Sequence, residues 1–260
     1  MIPWNAHLLE SLGIKTTKLA CLLLLAAASS AFAQNLVVDG DFEAAKSSKQ
    51  LRTDNKGSDW YESRKDTDAG RALLKLSSKA IGGNATRKAM IKAHPDLNTY
   101  LSHKLLHPLE ASVTASFDIF IKEILPDDNH SAFFFLGGIK DKAGGPNSTG
   151  SERFVFLGFE NAGTPGKINL FAREGASTWE ERTLVAPDLE LNRWYTIQVK
   201  AEIPEGYYTV AVKGVTPQPF DLESFFTKGK TPGKITHVSF ASWNDGAGTF
   251  YVDNVSVSGL

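Results

Sequence analysis

The segment "SVTASFDIFIKEI", Ser112 to Ile124, decides the fold. Val113, Ala115, Phe117, Ile119 and Ile121 fall on one side of an extended chain. Thr114, Ser116, Asp118 and Lys122 fall on the other, with Phe120 among them. Side chains of a strand alternate between two faces, so this is the period of a half-buried strand and not the 3.6-residue period of a helix. "RWYTIQVKAEI" repeats the pattern, with Tyr195, Ile197 and Val199 opposite Thr196, Gln198 and Lys200. "GYYTVAVKG" sets Tyr208, Val210 and Val212 opposite Tyr207, Thr209 and Lys213. "NLVVDGDF", "RALLKLS", "KAMIKA", "YLSHKLL", "SAFFFLGG", "RFVFLGF", "KINLFAR", "EERTLV", "ITHVSFASW" and "TFYVDNVSV" are further candidates. Short strands in such number, separated by Gly, Pro, Asn and Asp clusters, predict an all-β, two-sheet antiparallel sandwich of jelly-roll type. Helix is scarce: "DLESFF", capped by Asp221, is expected to make one turn. The Gly- and Pro-rich stretch Lys140 to Glu152 reads as a surface loop inside a single domain, Gln34 to Leu260.

The first residues read differently. Lys15 and Lys18 precede the apolar run Leu19 to Ala28, and "SSAFA" follows it. A basic lead, a short apolar run and small residues before a cut make a secretory signal peptide over residues 1–33, cleaved after Ala33. The run is too short for a membrane span. The only cysteine, Cys21, lies inside it, so the mature chain would enter an oxidising compartment with no disulfide to stabilise it. That usage suits a bacterial periplasmic or extracellular protein. With 28 Lys and Arg against 29 Asp and Glu and no charge run, nothing calls for nucleic acid.

The ends of the mature chain carry a resemblance. The start "NLVVDGDFEAA", the following "DWYESR" and the end "GTFYVDNVSV" resemble secreted carbohydrate-binding modules of the family 4, 9 and 22 type, with galactose-binding-like topology. The segment "LELNRWYTIQVKAEIPEGYYTVAVKG" is similar to the concanavalin A-like and laminin G-like sandwich. The resemblance implies a structural calcium ion where the termini meet. Calcium takes six to eight hard oxygen ligands. Asp39, Asp41 and Glu43 cluster after the first strand, and alternation puts Asp253 on the core side of the last one. A core carboxylate needs a partner. Glu43 and Asp253, then Asp41, are the expected ligands; the alternative is that Asp253 accepts backbone N–H bonds in the Asp39–Gly40 turn.

Sugars present apolar faces and hydroxyl edges, met by exposed rings and planar polar groups. Trp60, Tyr61 and Arg64 lie together in "WYESR"; Trp179 and Trp243 sit among polar or turn-forming residues. Asn169, Phe171 and Arg173 share one face of their strand, and His237, Ser239 and Trp243 share one face of another, although Ile235 is out of step with Val238. Trp60, Tyr61, Arg64, Asn169, Arg173, Trp179, His237 and Trp243 are therefore the candidate glycan contacts. Each has an ordinary packing role as its alternative.

Catalysis is less legible. No Glu-x-Asp-x-x-Glu strand offers the carboxylate pair of a glycosidase, and adjacent Glu180 and Glu181 point to opposite faces. No Gly-x-Ser-x-Gly elbow is present. A polysaccharide lyase, needing a base and a carboxylate neutraliser, could draw on Arg64, His103, Asn169, Arg173, Tyr195 and His237. His103, however, shares its face with Leu101 and Leu105. The sequence points to an exported carbohydrate-binding sandwich, with a polysaccharide lyase or hydrolase and a cell-envelope adhesion domain as alternatives.

Overall fold

A computed structural model describes residues 34–52, 60–63, 73–124, 130–139, 145–175, 177–178, 180–225, 233–243 and 248–259. The signal peptide expected over 1–33, Arg64, Trp179 and the turn after Trp243 lie outside these residues. The strands are β1 (Trp60–Glu62), β2 (Leu74–Ser77), β3 (Lys88–Lys92), β4 (Thr99–Leu109), β5 (Ser112–Ile124), β6 (His130–Gly137) and β7 (Arg153–Asn161). They continue as β8 (Lys167–Ala172), β9 (Thr183–Glu190), β10 (Trp194–Glu202), β11 (Tyr207–Val212), β12 (Phe220–Glu223), β13 (Ile235–Ser242) and β14 (Gly248–Gly259). Two antiparallel sheets result. The first has the order β1-β4-β13-β6-β7-β8-β9, the second β12-β11-β10-β5-β14-β3-β2. Among the described residues, no helix is long and apolar enough to cross a membrane.

The core fills the space between the sheets, as the alternation of β5 requires. Val113, Ala115, Phe117, Ile119 and Ile121 all point inward and are buried. Phe117 stacks on Phe134 of the opposite sheet at 4.4 Å and meets Phe240 edge-on at 5.1 Å. Burying each such ring contributes roughly 1.5–3 kcal/mol. Phe120, the apolar residue out of phase, faces the outside of the second sheet. It packs there against Trp194 at 5.4 Å and Tyr251 at 6.0 Å. Residues 81–86 lie over that spot. Gly82, at φ +55°, passes so close that a Cβ would stand 2.4 Å from Phe120, and Trp194 Nε1 donates to Ile81 O at 2.8 Å.

Two expected elements take other forms. "DLESFF" contributes Asp221, Leu222 and Glu223 to an edge strand, β12, paired to β11 through Tyr208 and Leu222, because Leu222 completes the inner face. "NLVVDGDF" makes no ladder. Leu36 N–H donates to Val257 O at 2.7 Å and Val255 N–H to Gly40 O at 2.8 Å. Asp39 and Phe42 then turn at φ 50° and 56°. The chain approaches β14 so tightly that a Cβ on Gly40 would lie 1.9 Å from Val255 O.

Simple alternation also misplaces Asp253. Phe250 and Val252 face the core, and so do Val255 and Val257. The register with β5 slips between Asp253 and Ser256, and Asn254 adopts φ 51°. This bulge resets the phase. Asp253 therefore points out of the sandwich with Tyr251, not into it.

Candidate binding face

The two faces of the first sheet are both apolar over much of their width. Leu101, Leu105, Phe134, Leu136, Leu157, Leu170, Val238 and Phe240 face the core. On the reverse side Tyr100, Phe133, Phe135, Phe156, Phe171 and Ala241 form a second cluster, joined by Phe225 and by half-buried Trp243. The bulge between Ile235 and His237 explains the imperfect alternation of β13 and puts His237, Ser239, Ala241 and Trp243 on this outer face. Likewise Ile168, Leu170 and Ala172 of β8 face the core and Phe171 the outer cluster.

Trp243 lies on Phe133 at 4.4 Å, and its Nε1 donates to Tyr100 Oη at 2.7 Å. Arg153 stands over Phe135, Phe156 and Trp243 at 4.5, 5.0 and 5.1 Å. Arg173, half-exposed, covers Phe156 at 5.1 Å and Phe225 at 4.9 Å, and also donates to Ser177 O. Cation–π contacts of this kind position a guanidinium without neutralising it. Burial, helped by the Arg153 charge, lowers the Arg173 pKa to about 10, so it stays charged at neutral pH. Arg173 and Trp243 thus meet around one ring, Phe156, whose Trp243 contact is 5.9 Å.

Toward the other end the face turns polar. Ser102 Oγ and Ser239 Oγ are 2.9 Å apart, Ser102 also donates to Ser63 Oγ at 3.0 Å, and Asn147 Nδ2 donates to Ser239 Oγ at 2.8 Å. His237 follows; its Nδ1 lies 2.8 Å from Thr236 Oγ1. Burial first, then the charges of Lys104 and His103, hold its pKa down to about 4.

The other expected contacts go elsewhere. Trp60 is a core residue, packed on Phe42, His103 and Phe240, with Nε1 donating to Asp39 O at 2.9 Å. Tyr61 is buried too, which raises its hydroxyl pKa to about 12. His103 points inward, away from the outer face, where its Nε2 accepts the Val38 N–H at 3.0 Å and its Nδ1 is buried without a partner, so it is a core histidine and not a base for a ligand on that face. Asn169 accepts the Asp188 N–H at 3.1 Å and holds Glu160, whose other partners are His130 and Arg182. Tyr195 faces the core, and its Oη accepts the Glu190 N–H at 2.8 Å.

The arrangement at the termini does not fit calcium. Asp253 Oδ2 accepts from Asn84 Nδ2 at 2.7 Å and Thr86 Oγ1 at 2.9 Å, and Oδ1 from the Asn254 N–H at 2.8 Å. Glu43 Oε1 accepts the Arg87 N–H at 2.7 Å and Asp41 Oδ1 the Glu43 N–H at 3.3 Å. Lys88, fully buried, donates to Lys79 O at 3.0 Å and to Thr86 O, and its charge is felt by Asp253. Burial nevertheless keeps the Asp253 carboxyl above its usual pKa. Among the described residues no three His, Asp or Glu side chains converge as metal ligands. Neither terminal segment, 35–45 or 248–257, carries a Lys or Arg to pair with Asp253. β3 supplies one.

No protein-family model matches the sequence, and no curated protein matches it. Among solved structures, the catalytic domain of a glycoside hydrolase family 131 protein from Coprinopsis cinerea aligns over 87% of this chain and 95% of its own, at 12% identity and a TM-score of 0.55. A family 131 β-glucanase catalytic domain from Podospora anserina covers 87% and 96%, at 13% identity and a TM-score of 0.50. A sialidase aligns over 85% of this chain at 14% identity and a TM-score of 0.53, but the match spans only 18% of the sialidase. At such identities the likeness is one of fold: a two-sheet jelly-roll sandwich, as alternation in the sequence predicts.

Proposed function

We propose that this is an exported carbohydrate-binding protein that recognises a polysaccharide on the outer face of the first sheet. One observation carries the reading: partly exposed Trp243 and Arg173, which follow β13 and β8, three strand spacings apart in the sheet, both pack on the same buried ring, Phe156. A ring and a guanidinium on a rigid, doubly packed sheet form a preformed platform for the apolar face and hydroxyl edge of a sugar. The fold likeness to a β-glucanase and a sialidase supports a glycan ligand, and the residues before Ala33 support export.

The lyase alternative has lost most of its residues. His103 and Tyr195 point to the core, Asn169 is committed to its neighbours, and Arg64 is outside the described residues. Arg173 and His237 remain, but β6 and β7 stand between their strands. Three strand spacings put their backbones roughly 14 Å apart, and Arg173 is turned onto Phe156 and Phe225.

Affinity electrophoresis of the segment 34–260 on a panel of neutral and acidic polysaccharides tests the reading. Retardation on at least one is expected, reduced about tenfold in affinity by Trp243→Ala, since stacking on a sugar is worth on the order of 1 kcal/mol or more. A protein that stays folded and runs unretarded on every polysaccharide would refute it.

A further inference from the structure

Where β13 begins, the outer face of the first sheet opens into a cavity of about 580 Å³. Lys104 of β4, Ile139 after β6, Glu152, and Lys234, Thr236 and His237 at the start of β13 line it. Two features mark it as a ligand site rather than a surface dent. First, His237 is only 2% exposed, and while its Nδ1 is engaged with Thr236, its Nε2 has no hydrogen-bond partner. Buried polar atoms are nearly always satisfied, and an exception needs an explanation. Second, the β13 bulge turns this imidazole outward, beside two exposed ammonium groups. The carboxylate in the wall is held by its own loop: Glu152 Oε2 accepts from the N–H groups of Ser148 and Thr149 at 2.7 and 3.0 Å and from Ser148 Oγ at 3.1 Å, and its charge is also felt at His237.

We infer that this cavity receives a carboxylate-bearing sugar unit, with Lys104 and Lys234 on the carboxylate, Ile139 against the sugar ring and His237 Nε2 on a ring oxygen or hydroxyl. The inference rests on the carbohydrate reading and names the class of sugar at one end of the same face. The volume exceeds one sugar ring and leaves room for its neighbour in a chain. His237 stays neutral down to about pH 4, so it supplies direction through a hydrogen bond, and the lysines supply the charge.

Calorimetric titration at low salt with a galacturonic acid trimer and a galactose trimer tests this, with free acetate as a third probe. The acidic trimer is expected to bind at least about tenfold more tightly than the neutral one, and acetate alone too weakly to measure. Lys104→Gln with Lys234→Gln, both at exposed positions that leave the fold intact, is expected to erase that preference. The acidic trimer should also shift the ¹⁵N resonance of His237 Nε2 and leave that of His103 in place. Equal affinity for the two trimers, or an acidic preference that survives the double substitution, overturns the inference and leaves carbohydrate binding standing. Binding of acetate as tight as that of the acidic trimer also overturns it, since the site would then read an anion and not a sugar. Failure of both trimers, together with every polysaccharide of the panel, would remove the carbohydrate reading itself.

Discussion

On the outer side of β10 and β11, Gln198, Lys200 and Tyr207 are exposed and Thr196 and Thr209 half-buried. On the outer side of β6 and β7, Phe133, Phe135 and Phe156 have no accessible surface. A sheet that serves only as a wall needs one apolar face, and β10 and β11 obey that economy. The first sheet carries a second apolar layer, Tyr100 to Phe225, reinforced by Arg153 and Arg173. Extra packing on the side away from the core fixes that face rigidly, as a recognition surface requires. The difference between the faces is thus where to look for function.

Substitution should break this contrast most visibly. Phe156→Ala removes a ring that touches Phe133, Phe135, Phe225 and Trp243. It should cost about 3–5 kcal/mol, as a core substitution does, although it lies outside the sandwich core. Gln198→Ala on the other face should stay within about 0.5 kcal/mol. Urea denaturation measures both, and equal small losses would deny that the outer layer is a packed structure.

Acid should act next, through two imidazoles on opposite faces of the first sheet. His103 and His237 both have pKa values near 4, against 6.5 for a free imidazole, because burial disfavours their charge. Between these values the unfolded chain binds more protons than the folded one, so stability is complete above pH 6.5 and falls as pH drops toward 4. At about 1.4 kcal/mol per unit, the two together remove several kcal/mol. Asp253, whose carboxyl burial pushes up, binds its proton more tightly when folded and opposes the loss at the acid end. Urea midpoints at pH 7 and pH 4.5 should differ, and by less in His103→Gln; a flat profile would contradict the buried neutral histidines.

The smallest effect is expected at the termini. With Lys88 beside Asp253 and every carboxylate of the cluster accepting hydrogen bonds, a calcium chelator should leave the melting temperature unchanged. A fall of several degrees that added calcium restores would show a resident ion and a rearranged Asp253.

Much of the fold is written locally. The alternation of β5, β10 and β11 identifies core and surface residue by residue, because one face of each strand meets solvent. β6 and β7 are near-continuous apolar runs, so periodicity marks them as strands without saying that a second layer exists. The bulges at Ile235–His237 and Asp253–Ser256 are the main departures, since one extra residue reverses which side chains face in. Only the broken phase of Ile235 against Val238 hinted at the first. Of the site, Arg173, His237 and Trp243 were recoverable from face assignment. Their partners Tyr100, Phe156, Lys104 and Lys234 were not, because pairing across strands distant in sequence sets them together. Lys88 escaped for the same reason.

β14 lies between β5 and β3 inside the second sheet, and the first described residues, around Leu36, hydrogen-bond to it. Its partners are separated from it by well over a hundred residues. Closing such loops is entropically slow. Without β14, β3 and β5 have no neighbour on that side and Leu36 has no carbonyl to meet. β14, the most C-terminal of the described strands, therefore joins the two parts of the second sheet. A truncation of even ten residues at that end would leave two half-sheets with open edges, prone to pairing with other chains.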